Sequence, residues 1–325
     1  MTALELSLSP LGLGCAQLGN LYHAISDETA AATVRRAWDE GIRYFDTAPH
    51  YGLGLSETRL GAALRAFPRD EYVLSTKVGR VLEPNPGGAG ARDDQGFAVP
   101  AAYKRRWDFS RDGVLRSLDD SLTRLGLDRV DIVYVHDPDD HFEEAVSGAF
   151  PALRELRDQG VIGAFGAGMN QAPMLAEFVR RTDLDVLLVA GRYTLLDQPA
   201  LDELFPLCAA RDVRVVVGGA FNGGILATAE PGGVYDYAEA PAELVERARR
   251  IARVCARHGV ELPEAALALP MAHPAVASVV VGAHDPDQVA VNARRARAVV
   301  PTALWTELID AGLLRADVVI AEGVS

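Results

Sequence analysis

DGVLRSLDDSLTRLGLDRVDIVYVH, residues 112 to 136, holds one turn of a repeating pattern. Val114, Leu115, Leu118, Leu122 and Leu125 recur at helical spacing and share one face. After the break at Gly126, the apolar run 130–136 is too short for a helix and reads as a buried strand ending in His136. Strand candidates of the same kind occur at 11–15, 43–46, 72–78, 161–166, 186–189, 214–217 and 278–282. Segments of helical period lie between them at 29–38, 143–158, 171–181, 200–211, 242–258 and 286–298. Alternation of this kind predicts a parallel sheet, and eight units in ~300 residues suit a closed (β/α)8 TIM barrel better than an open doubly wound sheet. With no linker or low-complexity segment in view, residues 1–325 read as a single barrel domain, with an extra C-terminal helix at 302–314.

Composition narrows the class. The 325 residues carry 32 Lys and Arg against 45 Asp and Glu, a formal charge of −13, which disfavours nucleic acid and anionic membranes as partners. The only basic cluster is Lys104-Arg105-Arg106. Cys15, Cys208 and Cys255 show no metal or disulfide spacing, and the seven histidines are scattered, so no metal is expected. The N-terminal stretch lacks the features of a signal peptide, and no apolar run approaches the ~18 residues of a membrane span. These features predict a soluble cytoplasmic enzyme, monomeric or a small homo-oligomer.

Two connections are long: 80–111 after the third strand and 218–240 after the seventh. Both would leave the carboxyl ends of barrel strands, where active sites are built. Ionisable groups gather at the same ends. Asp46 ends strand two, Tyr51 follows in a glycine-rich turn, Lys77 lies near the end of strand three, and His136 ends strand four. A lysine after the buried YVLST run needs a partner. A free tyrosine is too weak a base at neutral pH. An ammonium ~4 Å away favours its phenolate by roughly 4 kcal/mol at an effective dielectric of ~20. Asp46 would anchor Lys77, and His136 would orient a substrate oxygen. Such a set suits proton transfer coupled to hydride transfer. The glycines of GLGCAQLG (12–19) lack G-x-G-x-x-G spacing, so no Rossmann fingerprint is present.

In order and spacing, YFDTAPHYG (44–52), VLSTKVG (73–79), VDIVYVHDPD (130–139), GAFGAGMN (163–170), GRYTLLDQ (191–198) and VVVGAHDPDQVAVN (279–292) resemble the signature segments of the aldo-keto reductase family. The resemblance implies a nicotinamide cofactor bound by a barrel, Tyr51 as general acid or base, Asp46 and Lys77 tuning it, and His136 orienting substrate. It further implies cofactor contacts at Gly14, Cys15, Ala16, Asp46, Gly168, Met169, Asn170, Gly218, Gly219, Phe221, Asn222, Gly223, Gly282, Asp285, Gln288 and Asn292. Substrate contacts are expected at Tyr51, His136, His50, Trp107 and Arg192. Gly168-Met169 replaces the family's common Ser-Asn pair, and Gly218 its stacking tyrosine.

LGLGCAQLGNLY (11–22), RYTLL (192–196) and residues 107–139 look similar to the bacterial sugar-dehydrogenase branch, which includes L-fucose and D-threo-aldose 1-dehydrogenases, with pyridoxal 4-dehydrogenase nearby. This implies oxidation of an anomeric hydroxyl to a lactone. Asp285 and Asp287, with no Lys or Arg before Arg294, favour NAD over NADP; Asp285 also suits the cap of the last helix, before Pro286. The alternatives are an NADPH-dependent aldehyde or ketone reductase, a pyridoxal dehydrogenase, a cofactor-sensing regulatory subunit and a metal-dependent barrel hydrolase.

Overall fold

The computed structural model describes residues 7–318, apart from 89, 233, 236 and 237. Eight strands form the barrel: β1 (Leu11–Gly14), β2 (Tyr44–Asp46), β3 (Val73–Val78), β4 (Ile132–His136), β5 (Ala164–Met169), β6 (Val186–Ala190), β7 (Arg214–Gly218) and β8 (Val276–Gly282). Each pairs in parallel with the next, and β8 returns to β1 with Leu13 opposite Val281 and Gly14 opposite Gly282. The ring is closed, as the strand–helix alternation predicts.

Successive strand residues point to opposite faces. Phe45, Leu74, Val133 and Val135 therefore join the large core between strands and helices. Tyr44, Ile132, Tyr134, Val186, Leu188 and Val216 form a separate inner cluster that fills the barrel. The same alternation carries Asp46, Lys77 and His136 to the inward face at the carboxyl ends.

Helices α1 (Asp27–Asp39), α2 (Leu55–Leu64), α3 (Arg111–Leu125), α4 (Phe150–Asp158), α5 (Ala172–Arg181) and α6 (Leu204–Arg211) follow in chain order. They are succeeded by α7 (Ala242–Arg257), α8 (Leu262–Met271), α9 (Pro286–Ala296) and α10 (Thr302–Asp310). Their starts carry recognisable caps: Ser26 accepts from Thr29 N–H, and Ser110 from Gly113 N–H, each at 3.1 Å.

Two helices depart from the sequence reading. The first is α2, whose interior Gly61 is forced by packing: a Cβ there would come within 1.9 Å of the Leu125 carbonyl oxygen at the end of α3. The second is α8, LPEAALALPM, which is buried nearly all round and so shows no amphipathic period. It packs on β8 and takes a place in the ring, while α7 packs against α10 outside it. The expected extra helix thus has a partner.

The long connection after β3 contains an antiparallel hairpin, Arg80–Pro84 with Tyr103–Trp107, whose first pair is Arg80 opposite Trp107. Residues between its strands fold back over the barrel mouth, where Phe97 and Val99 pack with Leu53 beside Tyr51. Lys104, Arg105 and Arg106 make no basic patch, because Asp93, Glu83 and Asp108 pair with them. Among the described residues, no helix is long and apolar enough to cross a membrane.

Candidate active site

Lys77 is almost fully buried, and its ammonium uses all three hydrogens. Nζ donates to Asp46 Oδ2 at 2.7 Å, to the Thr47 carbonyl at 2.9 Å and to the Tyr51 hydroxyl oxygen at 3.0 Å. Burial alone pulls the lysine pKa down; the Asp46 carboxylate and the Tyr51 oxygen outweigh it and hold the ammonium charged. Asp46 Oδ1 accepts from Ser75 Oγ at 2.7 Å. Ser75 Oγ lies 3.1 Å from Tyr44 OH, itself 3.1 Å from Tyr134 OH. A hydrogen-bonded chain therefore runs from the inner cluster of the barrel to Tyr51.

Tyr51 is placed by backbone contact. A Cβ on Gly52, whose φ is +65°, would sit 2.2 Å from the Gly19 carbonyl oxygen, and one on Gly19 would sit 2.6 Å from the Tyr51 carbonyl carbon. Only glycine at both positions lets the loops after β1 and β2 touch. His136 presents its ring at 89° to that of Tyr51, centroids 5.9 Å apart. Burial first, then Arg80 and Lys77, push the His136 pKa well below its ordinary value, so the imidazole is neutral. His50 stands 5.6 Å from His136, its own pKa pushed down to about 2 by burial, Arg80, Arg105 and Lys77.

Tyr51, Lys77 and His136 open into a cavity of about 600 Å³. His50, Ala16, Gly168, Met169 and Asn170 line it too, as expected from the sequence. Trp107 and Arg192 are not among its lining residues. The Trp107 ring carries the Arg80 guanidinium at 4.4 Å, and Arg192 Nε donates to the Asn170 carbonyl at 2.9 Å. Phe97 is one aromatic wall of the cavity, with Arg80, Asp137 and Gln95 among its polar lining residues. None of these four stood out in the sequence. Arg80 was the most legible, three residues after Lys77.

The remaining expected cofactor positions cluster along β7, β8 and β1, outside that lining. Gly218 pairs with Val280, and Gly282 with Gly14. Cys15 is buried, its thiol 3.5 Å from the Leu13 carbonyl, and its own N–H donates to the Asp46 carbonyl at 2.8 Å. Phe221 packs on the core, and Gly219 and Gly223 have positive φ. Asp285 caps α9, accepting from Gln288 N–H at 2.8 Å; Gln288 accepts in turn from His284 N–H at 3.0 Å. Asn292 Nδ2 lies 3.5 Å from the Gly282 carbonyl.

These residues fit a nicotinamide cofactor. At the carboxyl ends of β5 to β8 and β1, the inward positions are Gly168, Ala190, Gly218, Gly282 and Gly14, all small. A Cβ on Gly168 would already lie 3.7 Å from Lys77 Cε, and one on Gly282 would run into the Gln17 side chain. Two buried amide oxygens, Gln17 Oε1 beside Gly282 and Asn222 Oδ1 after β7, have no partner among the described residues. A polar group arriving on this side would satisfy them.

A parallel barrel that joins a buried Asp–Lys pair to a tyrosine at its mouth, and carries no Rossmann unit, defines a class of oxidoreductase. The chain belongs to the Aldo/keto reductase family, whose profile matches residues 10–309 and whose members use nicotinamide cofactors. It is 48% identical over 317 residues to D-threo-aldose 1-dehydrogenase of Pseudomonas sp., covering 96% of each chain. Pyridoxal 4-dehydrogenase of Microbacterium luteolum is 39% identical over 327 residues, covering 95% of each. Among solved structures, the holo form of an aldo-keto reductase from Bacillus halodurans superposes with a TM-score of 0.70 at 28% identity, covering 96% of this chain and 94% of that one.

Proposed function

We propose that the protein is an NAD-dependent dehydrogenase that oxidises the anomeric hydroxyl of an aldose to the lactone, acting as one cytoplasmic domain. The observation that carries this reading is the 3.0 Å contact between Lys77 Nζ and the Tyr51 oxygen, both of which line the cavity. Tyr51, held as the phenolate by the ammonium, takes the proton of the anomeric hydroxyl as the hydrogen on the anomeric carbon leaves as hydride. Asp46 fixes Lys77. Neutral His136 orients the substrate oxygen without adding a positive charge that would repel Lys77. The residues along β7, β8 and β1 would hold the nicotinamide cofactor, which would supply the hydride acceptor.

The likeness to D-threo-aldose 1-dehydrogenase supports the sugar substrate. Asp285 and Asp287 at the start of α9 support NAD, since a 2′-phosphate there would meet two carboxylates. The test is a comparison of kcat/KM with NAD and NADP on L-fucose, D-arabinose and pyridoxal. Aldose oxidation with NAD at least tenfold preferred is expected. A tenfold preference for NADP refutes the cofactor reading, and turnover of pyridoxal alone refutes the substrate.

A further inference from the structure

Beside the proton-transfer set, the cavity has a charged wall. Arg80 begins the hairpin after β3, its guanidinium carbon over the Trp107 ring at 4.4 Å from the centroid. One Nη donates to Asp137 Oδ2, and the other lies 3.2 Å from His50 Nδ1. Asp137 directly follows β4 in the left-handed region, at φ +43°, with its N–H bonded to the Gly168 carbonyl at 3.1 Å. A non-glycine residue held there carries a backbone cost, which is common where a side chain is aimed for function. Among the described residues no hydrogen bond engages Asp137 Oδ1. Phe97 supplies an apolar wall to the same cavity, its ring edge-on to His50 at 5.2 Å and 6.1 Å from Tyr51.

An ion pair on a cavity wall is poorly matched to an apolar carbonyl compound, which would strip its water and return nothing. A ring hydroxyl both donates and accepts, so neighbouring hydroxyls can satisfy an imidazole, a guanidinium and a carboxylate set in a row. We propose that Arg80 and Asp137 are the specificity-determining pair that reads the ring hydroxyls of the substrate, with Phe97 taking the ring's C–H face. The inference rests on the aldose reading above.

The experiment compares oxidation of D-arabinose with that of 2-hydroxytetrahydropyran, a cyclic hemiacetal undergoing the same reaction without ring hydroxyls. Arg80→Met and the volume-conserving Asp137→Asn should each lower the aldose-to-hemiacetal ratio of kcat/KM by on the order of 30-fold, chiefly through KM for the aldose. Arg80→Lys, which keeps charge but loses the fork, should recover part of the ratio. Parallel losses on both substrates, leaving the ratio within threefold of wild type, overturn the proposal. A wild-type protein that oxidises 2-hydroxytetrahydropyran and no aldose refutes the functional reading itself.

Discussion

Lys77 and Tyr51 meet across two strands with the lysine as donor: Nζ is 3.0 Å from the phenol oxygen and 4.6 Å from the ring centroid. The other two ammonium hydrogens go to Asp46 and Thr47, so the phenol is the acceptor in this pair. That polarity suits the proton-carrier role proposed for Tyr51, whose ionised form the ammonium would stabilise in advance.

Tyr51→Phe removes the carrier and leaves the fold intact. The hydride-transfer rate in single turnover should fall by about 10³-fold or more. The Kd for the cofactor, followed by fluorescence quenching, should stay within threefold. A phenylalanine variant with near wild-type turnover would remove Tyr51 from the chemistry.

Asp46→Asn breaks a buried ion pair while preserving shape. The ammonium is then left with one neutral amide, the Thr47 carbonyl and Tyr51. Urea denaturation should show a loss of about 3 kcal/mol. An unchanged midpoint would mean that the charge on Asp46 contributes little to holding Lys77.

His50 gives a pH signature of defined sign. Folding lowers its pKa from the ordinary 6.5 to about 2, so below pH 6.5 the unfolded chain binds a proton that the folded one refuses. Stability conferred by neutral His50 is therefore full above pH 6.5 and is lost as pH falls toward 2, at up to about 1.4 kcal/mol per pH unit. His136 adds to the slope in the same direction. Unfolding free energies at pH 7.5 and 5.5 should differ less in His50→Gln than in wild type; equal slopes would place His50 in solvent contact.

Asp285→Ser separates two roles of one residue. Serine retains the cap of α9, so Tm should move little. With one carboxylate gone from the start of that helix, the NAD-over-NADP ratio of kcat/KM should drop by roughly tenfold, about 1.4 kcal/mol. A fall in Tm with an unchanged ratio would leave Asp285 as a cap only.

The barrel was legible because each strand is a short apolar run followed by a broken helical period. The meeting of Asp46, Tyr51 and Lys77 was legible because charges in such runs are costly and must be explained. Helix α8 was lost to its own burial, since a helix apolar on every side carries no period. Phe97 and Arg80 were lost for a different reason. Their positions depend on how a long connection folds back, which contacts distant in sequence fix, among them the Arg80–Trp107 pairing, the Arg105–Asp93 pair and the Leu21–Phe97 bridge. The small residues at the strand ends needed register: Gly168, Ala190, Gly218, Gly282 and Gly14 mean little singly, and become one bed only once the ring closes.

The tyrosines at the inner end of the hydrogen-bonded chain have a consequence for where protons can go. Burial pushes the pKa of both Tyr44 and Tyr134 up, Asp46 adding to it, so both hydroxyls keep their hydrogens at any working pH. Lys77 keeps its own as well. On the mechanism proposed above, the groups below Tyr51 hold their hydrogens, and the proton collected at each turnover leaves by the opening that admits the substrate. Substrate entry, product exit and proton release share one doorway, so whatever closes it during catalysis also sets when the proton reaches water.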